Sequence, residues 1–534
     1  MTTACCVLLF LCIMKSCANL LVYPKILESR SEDGSLILQV HPGLTLTLEK
    51  SSILATDLHF VIFSSEDSHR SILNGEELER NLYHDAKHMS SLIVDRAQGG
   101  VKVRGILSHN LRITPLEVAS RSSNGNTPHE IKVIKESPTP TSRENTEEDA
   151  DYLIDYEQHC DPIEIEKTGE EQGVPDVFRV EVCIVVSKNY TSAFNTSEDL
   201  LLYIGAMMNG VALRYIDMAC PKIEFQLNEL WKVEDEFLFG NEVCDIALDA
   251  LDDNSTVCGF DAEGTLNKTT DYVNACTTGY CDIVYHLTRE ELTYYVNGTF
   301  ITGIDGMANR AGVCTGDKFA IGEDKPHTYS GLLTMAHELG HVLGSDHDSC
   351  PGAEDCPARY GHLMTSIPRE TQNKSKLSDC SQKQIRSLVK RLNQSCVSVN
   401  TRANYTNDVY PGENMTYEEL CKLTHPEIQD LNVSKDYLKD CLIRCYENNT
   451  LIADSQESLE ISESELTTDD SVTNEESDAY YGEGYLFGEY QSLLDGMACG
   501  DNKTCYRGIC GIHNWSQIRR GYHSLRTFEK MPYV

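Results

Sequence analysis

The sequence predicts a multidomain protein: a β-rich region first, a mixed α/β domain in the middle and a small disulfide-rich module at the end. Two observations carry this prediction. Apolar and polar residues alternate early in the chain, whereas helical and strand-like apolar patterns alternate with each other after Val174. Of the 22 cysteines, four lie in the first 18 residues, Cys160 stands alone, and 17 follow from Cys183 onward. A chain of 534 residues is long enough for about three or four domains.

The first segment resembles an export signal. A short apolar run from Val7 to Met14 precedes Ser16-Cys17-Ala18, and the small residues at its end are typical of signal-peptide cleavage, although the usual early positive charge is missing. Residues 1–18 are therefore predicted to be a signal peptide. No later stretch reaches the roughly 20 apolar residues that a membrane-spanning helix needs, and Leu200–Leu213 is interpreted as an amphipathic helix. We expect a secreted, extracellular protein without a membrane anchor.

Residues 19–143 are predicted to be a β-rich domain, because apolar residues recur in strand-like patterns at Leu36–Val40, Thr45–Leu48 and His59–Phe63. An acidic linker follows at residues 144–173, with a composition that cannot bury a core. None of the Asn-x-Ser/Thr sequons precedes residue 180, and thirteen follow it. We expect a glycoprotein whose mature form begins near residue 175, with the β-rich domain as the pro-domain of a zymogen. No dibasic processing site is visible in the linker.

Residues 174–398 are predicted to form the mixed α/β domain, whose last helix follows Ser378-Asp379. A further helix, which carries the motif described next, is expected to begin near Thr328 or Ser330, because both are good N-caps. The other predicted elements are, in chain order, a buried strand at Phe178–Val186, a helix at Asp199–Met218, a strand at Asp282–His286, an edge strand within Gly303–Phe319 and the last helix at Ser381–Leu392.

The helix expected after Ser330 carries the most specific motif of the chain, HELGHVLGSDHD. His337 and His341 are four residues apart, so on a helix both imidazoles lie on one face and reach one ion. Gly344 accepts the left-handed backbone that ends the helix and turns the chain, which brings His347 back as a third ligand. Three imidazoles leave a fourth position for water, as in catalytic zinc sites. Glu338 is then placed to take a proton from that water.

A bare HExxH arises by chance in many helices, whereas the extended HExxHxxGxxH is the zinc signature of metzincin metalloproteases, which also need a methionine-containing turn beneath the metal. Met364, within Gly361–Ile367 and 17 residues after His347, supplies that turn. A lone methionine is otherwise ordinary core filler. Asp348 is expected to support the site structurally. His286, His327 and His362 are interpreted as ordinary polar histidines.

With these motifs the chain resembles the reprolysin (adamalysin, ADAM-like) metzincins, and among them the secreted salivary metalloproteases of ticks. Gly105–Leu116 and Pro128–Ile134 are similar to the family's pro-domain pattern, and Asp495–Cys510 is similar to the end of its Cys-rich domains. The resemblance implies one catalytic Zn²⁺ and a metalloendopeptidase that acts on extracellular proteins such as host matrix or haemostatic fibrin(ogen) components. Ca²⁺ is a further expectation for such a secreted domain, without a ligand set in the sequence.

The chain also departs from this family. A pro-region cysteine often occupies the fourth zinc position in relatives, and Cys160 is the candidate here, but its surroundings do not match the usual switch motif. A thiolate can ligate zinc, and a free thiol in the linker is the alternative. Eleven cysteines lie between Cys183 and Cys396, so one is unpaired or bonds outside the domain. Cys183, on a core strand, is the expected unpaired one.

Residues 399–534 are predicted to be a Cys-rich module with six cysteines, split by an acidic insertion at residues 454–478. The insertion holds ten Asp or Glu and no Lys or Arg, so a solvated, disordered segment is expected. Tyrosines beside its carboxylates, up to Tyr490, are candidates for sulfation, with a plain acidic loop as the alternative. Six cysteines are too few for a full disintegrin domain.

The net charge of −38 excludes a general nucleic-acid binder, because phosphate recognition needs clustered Lys and Arg. An alternative function is a secreted binding or anticoagulant protein that uses the protease domain and the Cys-rich module as a scaffold. The presence of Glu338 argues against this alternative, since loss of that base is the commonest way in which such a scaffold becomes inactive.

Overall fold

The computed structural model describes residues 20–29, 36–63, 68–97, 100–116, 127–134, 175, 177–246, 256–276, 281–296, 299–302, 304–366, 373–397, 412–413, 415–426, 431–447 and 490–515. The signal peptide, the linker with Cys160 and the acidic insertion lie outside these residues. The chain divides into two compact units. Unit 1 comprises Met1–Val22, Glu49–Thr406 and Arg519–Val534, and unit 2 comprises Tyr23–Leu48 and Asn407–Ile518.

The described strands are, up to the linker, β1 (Leu20–Val22), β2 (Lys25–Ser29), β3 (Leu36–His41), β4 (Leu44–Lys50), β5 (Leu54–Phe63), β6 (Ser68–Asn74), β7 (Leu82–Asp85), β8 (Ser90–Ala97), β9 (Gly100–Ile106), β10 (Leu111–Pro115) and β11 (His129–Val133). Those that follow are β12 (Val177–Ser187), β13 (Lys222–Val233), β14 (Glu242–Ile246), β15 (Thr256–Asp261), β16 (Ile283–Thr288), β17 (Leu292–Val296), β18 (Thr299–Ile301), β19 (Gly306–Ala308), β20 (Phe319–Glu323), β21 (Leu431–Ser434), β22 (Leu442–Glu447), β23 (Tyr490–Ser492), β24 (Ala498–Gly500), β25 (Lys503–Tyr506) and β26 (Ile509–Gly511).

The described α-helices are α1 (Gly75–Leu78), α2 (Lys188–Thr191), α3 (Ser197–Arg214), α4 (Ala262–Cys276), α5 (Leu332–Val342), α6 (Asp379–Val389), α7 (Gln394–Val397) and α8 (Tyr417–Thr424). Short 3₁₀ turns occupy Glu79–Asn81, Asp235–Phe237, Ala358–Tyr360 and Leu438–Asp440.

The centre of unit 1 is a seven-stranded sheet in the order β19-β20-β16-β12-β13-β5-β6. The five strands from β20 to β5 are parallel, and β19 and β6 add antiparallel strands at the two edges. Strand β12 is apolar throughout its middle because helices cover both faces. Val180, Val182 and Ile184 face the core that contains α3, α5 and α6, and Cys183 and Val185 face the core under α4. The predicted mixed α/β domain is therefore present.

Helix α3 is buried on all sides, unlike the amphipathic helix that the sequence indicated. Every residue from Leu200 to Val211 is buried. The reason is a second, antiparallel sheet in unit 1, in the order β1-β11-β10-β9-β8-β7, which packs on the side of α3 that faces away from the central sheet. Its Ser91 hydroxyl donates to the carbonyl of Ala206 at 2.8 Å and accepts from the amide of Asn209 at 3.1 Å. The polar residue in mid-helix is thus satisfied inside the core.

The expected β-rich region at residues 19–143 has many strands but is not a compact unit of its own. Strand β5 pairs parallel with β13, from Leu227↔Leu54 to Lys232↔Ile62, so it belongs to the central sheet. Residues 23–48 belong to unit 2. The sequence indicated the strands, but it could not indicate which strands pair with them. His59 of β5 and Glu229 of β13, for example, are 170 residues apart in the chain.

Unit 2 is small and held by three disulfides, Cys421–Cys445, Cys441–Cys505 and Cys499–Cys510. Its sheets are β2 and β3 with the first residues of β4, then β21-β22-β23 and β24-β25-β26. Thr416 and Glu419 form a capping box at the start of α8. Disulfides stabilise such a module because its apolar core is limited.

Unit 1 has four disulfides with both partners described: Cys183–Cys281, Cys244–Cys258, Cys314–Cys396 and Cys356–Cys380. The expectation that Cys183 is unpaired is wrong, since it bonds to the residue that precedes Asp282 and β16, the strand beside its own. The free cysteines among the described residues are Cys220 and Cys276. None of the described helices has the length and apolar character needed to cross a membrane.

Candidate metal centre

Helix α5 presents the motif histidines from a core-packed scaffold. Leu332, Met335 and Leu339 are fully buried and fix the helix on the central sheet. The helix begins after Gly331, with no side-chain cap, instead of at Thr328 or Ser330. Gly331 donates its N–H to Asp324 Oδ1 at 3.0 Å, so a carboxylate from the end of β20 replaces the expected N-cap. A Cβ at Gly331 would lie 2.1 Å from the carbonyl oxygen of Glu323, which only glycine avoids.

The Nε2 atoms of His337, His341 and His347 converge on one point, with separations of 3.1, 3.1 and 3.2 Å. Backbone carbonyls fix two of the tautomers: His337 Nδ1 donates to Leu363 O at 2.7 Å and His341 Nδ1 donates to Ser345 O at 2.9 Å. Burial lowers the pKa of both imidazoles, so each is neutral with a lone pair on Nε2.

Such lone pairs repel one another unless a cation lies between them. Zn–N bonds of about 2.0–2.1 Å in a tetrahedral site put ligand nitrogens about 3.3 Å apart, close to the separations here. The three histidines therefore fit a zinc ion with an open fourth position. The carbonyl acceptors behind His337 and His341 orient the rings, as is usual for metal-bound histidines.

The turn after α5 brings His347 to the other two histidines. Gly344 has a φ of +94°, which an L-residue rarely adopts, and a Cβ there would meet Leu388 at 2.9 Å. Ser345 N–H donates to Gly340 O at 2.9 Å, which closes the helix end. Asp346 accepts from Arg310 and, at 2.9 Å, from the backbone N–H of His347. The sequence pattern contained the glycine but gave no sign of Arg310.

Met364 lies directly beneath the helix and is fully buried. A Cβ at Gly340 would be 2.5 Å from its sulfur, so the absence of a side chain at Gly340 leaves the space that Met364 fills. Its own carbonyl accepts from Asp348 N–H at 2.9 Å, and the preceding carbonyl holds His337. The turn expected around Met364 is therefore in contact with both the helix and the third-histidine loop.

Asp348 connects this loop to α6. Its Oδ1 accepts from Ser378 Oγ at 2.6 Å, and Ser378 is the N-cap of α6. Its Oδ2 is buried without a hydrogen-bond partner among the described residues. Burial raises the pKa of Asp348, against the hydrogen bond from Ser378 and the nearby His362. Asp348 and Ser378 thus join the loop after His347 to the start of α6.

Glu338 follows His337 on α5 and is 7% exposed. Burial raises its pKa to about 8, and the neighbouring carboxylate of Asp305 adds to the rise; a dication at the histidines would act in the opposite direction. Strand β19 passes beside it, because a Cβ at Gly306 would lie 2.9 Å from Glu338 Cγ. The edge strand of the sheet therefore runs along the side of the site that carries the carboxylate.

His286 and His327 have their partners outside this cluster. His286 is buried on β16 with its Nδ1 3.0 Å from Thr269 Oγ1, and burial lowers its pKa to about 3. His327 packs on Phe194, and its Nε2 donates to Ala193 O at 2.8 Å. Four other groups of potential metal ligands among the described residues each contain cysteines that form disulfides. The three-histidine cluster is thus the candidate metal centre that these disulfides leave in place.

Residues 178–378 match the family model Reprolysin_5, metallo-peptidase family M12. They are a reprolysin-type metallopeptidase domain of family M12. The metallopeptidase is 25% identical over 350 residues to the venom metalloproteinase antarease TserMP_A of Tityus serrulatus, covering 60% of this chain and 80% of that protein. It is 26% identical over 382 residues to the venom metalloproteinase BumaMPs1 of Olivierus martensii, covering 69% and 90%.

A third relative is the human protein a disintegrin and metalloproteinase with thrombospondin motifs 13, 25% identical over 262 residues. That match covers 48% of this chain and 15% of the relative. Together these similarities make the protein a metalloendopeptidase, and zinc is the metal of its family.

Sequence reasoning missed a buried carboxylate that supports the metallopeptidase helix. Asp324 is 1% exposed and accepts from Tyr190 Oη at 2.7 Å, from Tyr203 Oη at 2.8 Å and from the start of α5. Desolvation raises its pKa. The tyrosines are 134 and 121 residues away in the chain, so no local spacing could have indicated this cluster.

Proposed function

We propose that the protein is a secreted zinc endopeptidase that cleaves extracellular proteins, with His337, His341 and His347 as ligands and Glu338 as the general base. The convergence of three neutral Nε2 atoms within 3.1–3.2 Å of one another, beside a buried carboxylate, is the observation that carries this proposal. Matrix proteins and fibrin(ogen) are the substrates that we would test first.

A bound zinc ion supplies an activated water and polarises the scissile carbonyl. Glu338 accepts a proton from the attacking water at its carboxylate and later donates it to the leaving amine. The backbone carbonyls of Leu363 and Ser345 hold the ligand rings in the orientation that this requires. Met364 and Asp348 keep the turn and the loop in place.

Strand β19 offers the surface for an extended substrate. Its residues pair with β20 on one side, from Gly306↔Gly322 to Ala308↔Ala320, and it is the last strand of the sheet on the other. A peptide that adds to this edge gains backbone hydrogen bonds with little demand on its sequence. This arrangement supports an enzyme that cleaves within chains of varied sequence.

The test compares the wild type with Glu338→Gln and with Glu263→Gln, a matched change of an exposed glutamate on α4. Glu338→Gln should lower kcat/KM on gelatin and fibrinogen by about 10²–10⁴-fold, the usual contribution of a general base. Zinc content, measured by elemental analysis, should stay at one per chain in all three proteins. Cleavage by Glu338→Gln at the wild-type rate would overturn the proposal. A wild type that binds these proteins without cleaving them would favour the scaffold function.

Secretion, glycosylation and removal of a pro-region remain predictions, as do a Ca²⁺ ion and latency through Cys160. N-terminal sequencing of the protein from the culture medium tests secretion and removal of the pro-region, with a mature terminus near residue 175 expected. Substitution Cys160→Ser should raise the activity of the unprocessed chain if the thiol blocks the metal. Unchanged latency in Cys160→Ser would exclude that role.

A further inference from the structure

The segment before the linker supplies part of the core of the catalytic unit. Strand β5 is the fifth parallel strand of the central sheet, and Leu227 N–H donates to Ile53 O at 2.7 Å beside it. Leu58 is fully buried and Phe60 is 7% exposed, both in the same cluster as the metal-bearing helix. If this segment left, the edge of β13 and the apolar surface beneath β5 would be exposed to water.

A buried carboxylate of the catalytic part has ion-pair and hydrogen-bond partners in this segment. Glu229, on β13, is 2% exposed. It lies 3.0 Å from His59 Nδ1 on β5 and 3.5 Å from Arg70 Nη1 on β6, and it accepts from Trp231 Nε1 at 2.6 Å. Loss of these partners would leave Glu229 as a buried charge without compensation, which destabilises the folded protein. The pairing therefore favours the state in which the segment is bound.

The segment also covers the outer side of α3. Leu82, Ile93 and Ile106 belong to the same core as that helix. A Cβ at Gly210 would lie 3.1 Å from Ile106 and 2.9 Å from Leu332 of the metal-bearing helix, so α3 is packed closely against both. Without the segment, a helix that is buried from Leu200 to Val211 would have one side in water.

A further contact reaches the loop that leads into the metal-bearing helix. Arg112, on β10 and 6% exposed, donates to Thr328 O at 2.9 Å and to Tyr329 O at 3.0 Å. The same loop has positive φ at His327 (70°) and Tyr329 (53°), a conformation that non-glycine residues adopt only when their surroundings hold it. The guanidinium fork of Arg112 therefore stabilises the entry to α5.

Residues 23–48 contribute to unit 2 in the same way. Ile37 is 2% exposed in the core that includes Leu420 and Cys441. Gln39 Nε2 donates to Thr424 O at 2.8 Å, and Thr45 Oγ1 donates to Gln491 Oε1 at 3.3 Å. The part of the chain before the linker thus completes the cores of both units.

We infer that the segment of residues 20–134 is a permanent component of the folded enzyme, which stays bound after any cut in residues 135–174. This inference rests on the proposed processing, because the cut form exists only if the chain is cleaved in that region. Residues 19–140 contain no cysteine, so after a cut before Cys160 the retained fragment is held by non-covalent contacts alone. The processed enzyme is then a two-chain protein whose docking surface, formed by β13 and α3, takes the protein's own N-terminal segment.

The experiment uses the full chain with a site-specific protease sequence inserted after residue 140, in the Glu338→Gln background. The readout is independent of catalysis, so a failure of the proposed function would leave it intact. After cutting, native size-exclusion chromatography should give one peak at the size of the uncut chain, with both fragments in a 1:1 ratio. Separation of the fragments in native buffer, whether the C-terminal one remains soluble or precipitates, would overturn the inference.

Denaturant unfolding of the cut protein provides the second measurement. The fragments should separate in the same transition in which the catalytic core unfolds. Tryptophan fluorescence measures the unfolding of the core, and chromatography measures the separation of the fragments. The uncut chain is the matched control for the transition of the core. Release of the N-terminal fragment at a lower denaturant concentration, with the core still folded, would also overturn the inference.

Discussion

At the scale of single residues, the metal centre depends on what lies behind each ligand as much as on the ligands themselves. The carbonyls of Leu363 and Ser345 set the tautomers of His337 and His341, and those carbonyls come from the methionine turn and the helix end. The zinc motif therefore supplies the ligands and one of the carbonyls that orient them, and the methionine turn supplies the other.

Gly340→Ala tests the contact beneath the helix. The new Cβ would meet Met364 Sδ at 2.5 Å, and overpacking of this kind costs about 1–3 kcal/mol, against a gain of about 0.5–1 kcal/mol in helix propensity. We expect a net loss of about 1 kcal/mol in the free energy of unfolding and weaker zinc binding, measured by urea unfolding and chelator competition. Adding Met364→Ala to Gly340→Ala should relieve the clash, so the two effects should not be additive. Strict additivity would contradict this view of the contact.

Asp282 gives a pH dependence away from the metal. Burial raises its pKa to about 7, against the hydrogen bond from Glu181 N–H, while Glu181 adds to the rise and Lys318 opposes it. The unfolded carboxyl ionises near its ordinary pKa of about 3.9. Between about pH 4 and 7 the unfolded state therefore binds fewer protons than the folded state, and the free energy of unfolding falls as the pH rises. The wild type should lose stability across this window relative to Asp282→Asn, which keeps the acceptor oxygen. Urea unfolding at three pH values measures this.

The matched control is Asp271→Asn, at an exposed carboxylate of α4, which should follow the wild-type pH profile. Identical profiles for the wild type and Asp282→Asn would show that the pKa of this carboxyl is the same in the folded and unfolded states.

At the scale of elements, runs of apolar residues predicted the positions of individual strands and helices well. The predicted Phe178–Val186 and Asp282–His286 strands are β12 and β16, and the last helix lies two to three residues earlier than expected. The predicted start of α5 was wrong because the N-cap is Gly331, which Asp324 of another element holds, and Ser330 Oγ instead accepts from Lys325 N–H. The Cys183 expectation failed for the same reason: Cys281 is 98 residues away.

The edge strand provides a test at this scale. Gly306→Ala puts a Cβ 2.7 Å from Thr334 Cγ2 and 2.9 Å from Glu338 Cγ, so the carboxylate must shift. A misplaced general base should lower kcat by at least about 10-fold, since catalytic geometry is sensitive to displacements below 1 Å. Zinc content should not change. Met307→Leu, the next position on β19, serves as the matched control with activity near wild type. Equal activity of Gly306→Ala and wild type would mean that β19 does not determine the position of Glu338.

At the scale of the whole molecule, the active helix is supported by residues from distant parts of the sequence. Arg112, Asp324 and Arg310 each hold a segment next to α5 or its following turn, and none was identifiable from a motif. A zinc signature is short because its ligands are close in sequence, whereas its supports become neighbours only on folding. The metal ligands were therefore predictable, and the scaffold around them was not.

Glu229 allows the coupling between the N-terminal segment and the catalytic sheet to be measured in the intact chain. Glu229→Gln removes the charge that His59 and Arg70 face but keeps an acceptor for Trp231 Nε1. Loss of a buried, charge-assisted hydrogen bond should lower the free energy of unfolding by about 1.5–3 kcal/mol. Arg70→Met should cost less than about 1 kcal/mol, because Arg70 is one-third exposed and its pairing is screened by water. Trp231, one of two tryptophans, reports the transition by fluorescence. A loss from Arg70→Met as large as that from Glu229→Gln would place the coupling in the surface ion pair instead of in the buried carboxylate.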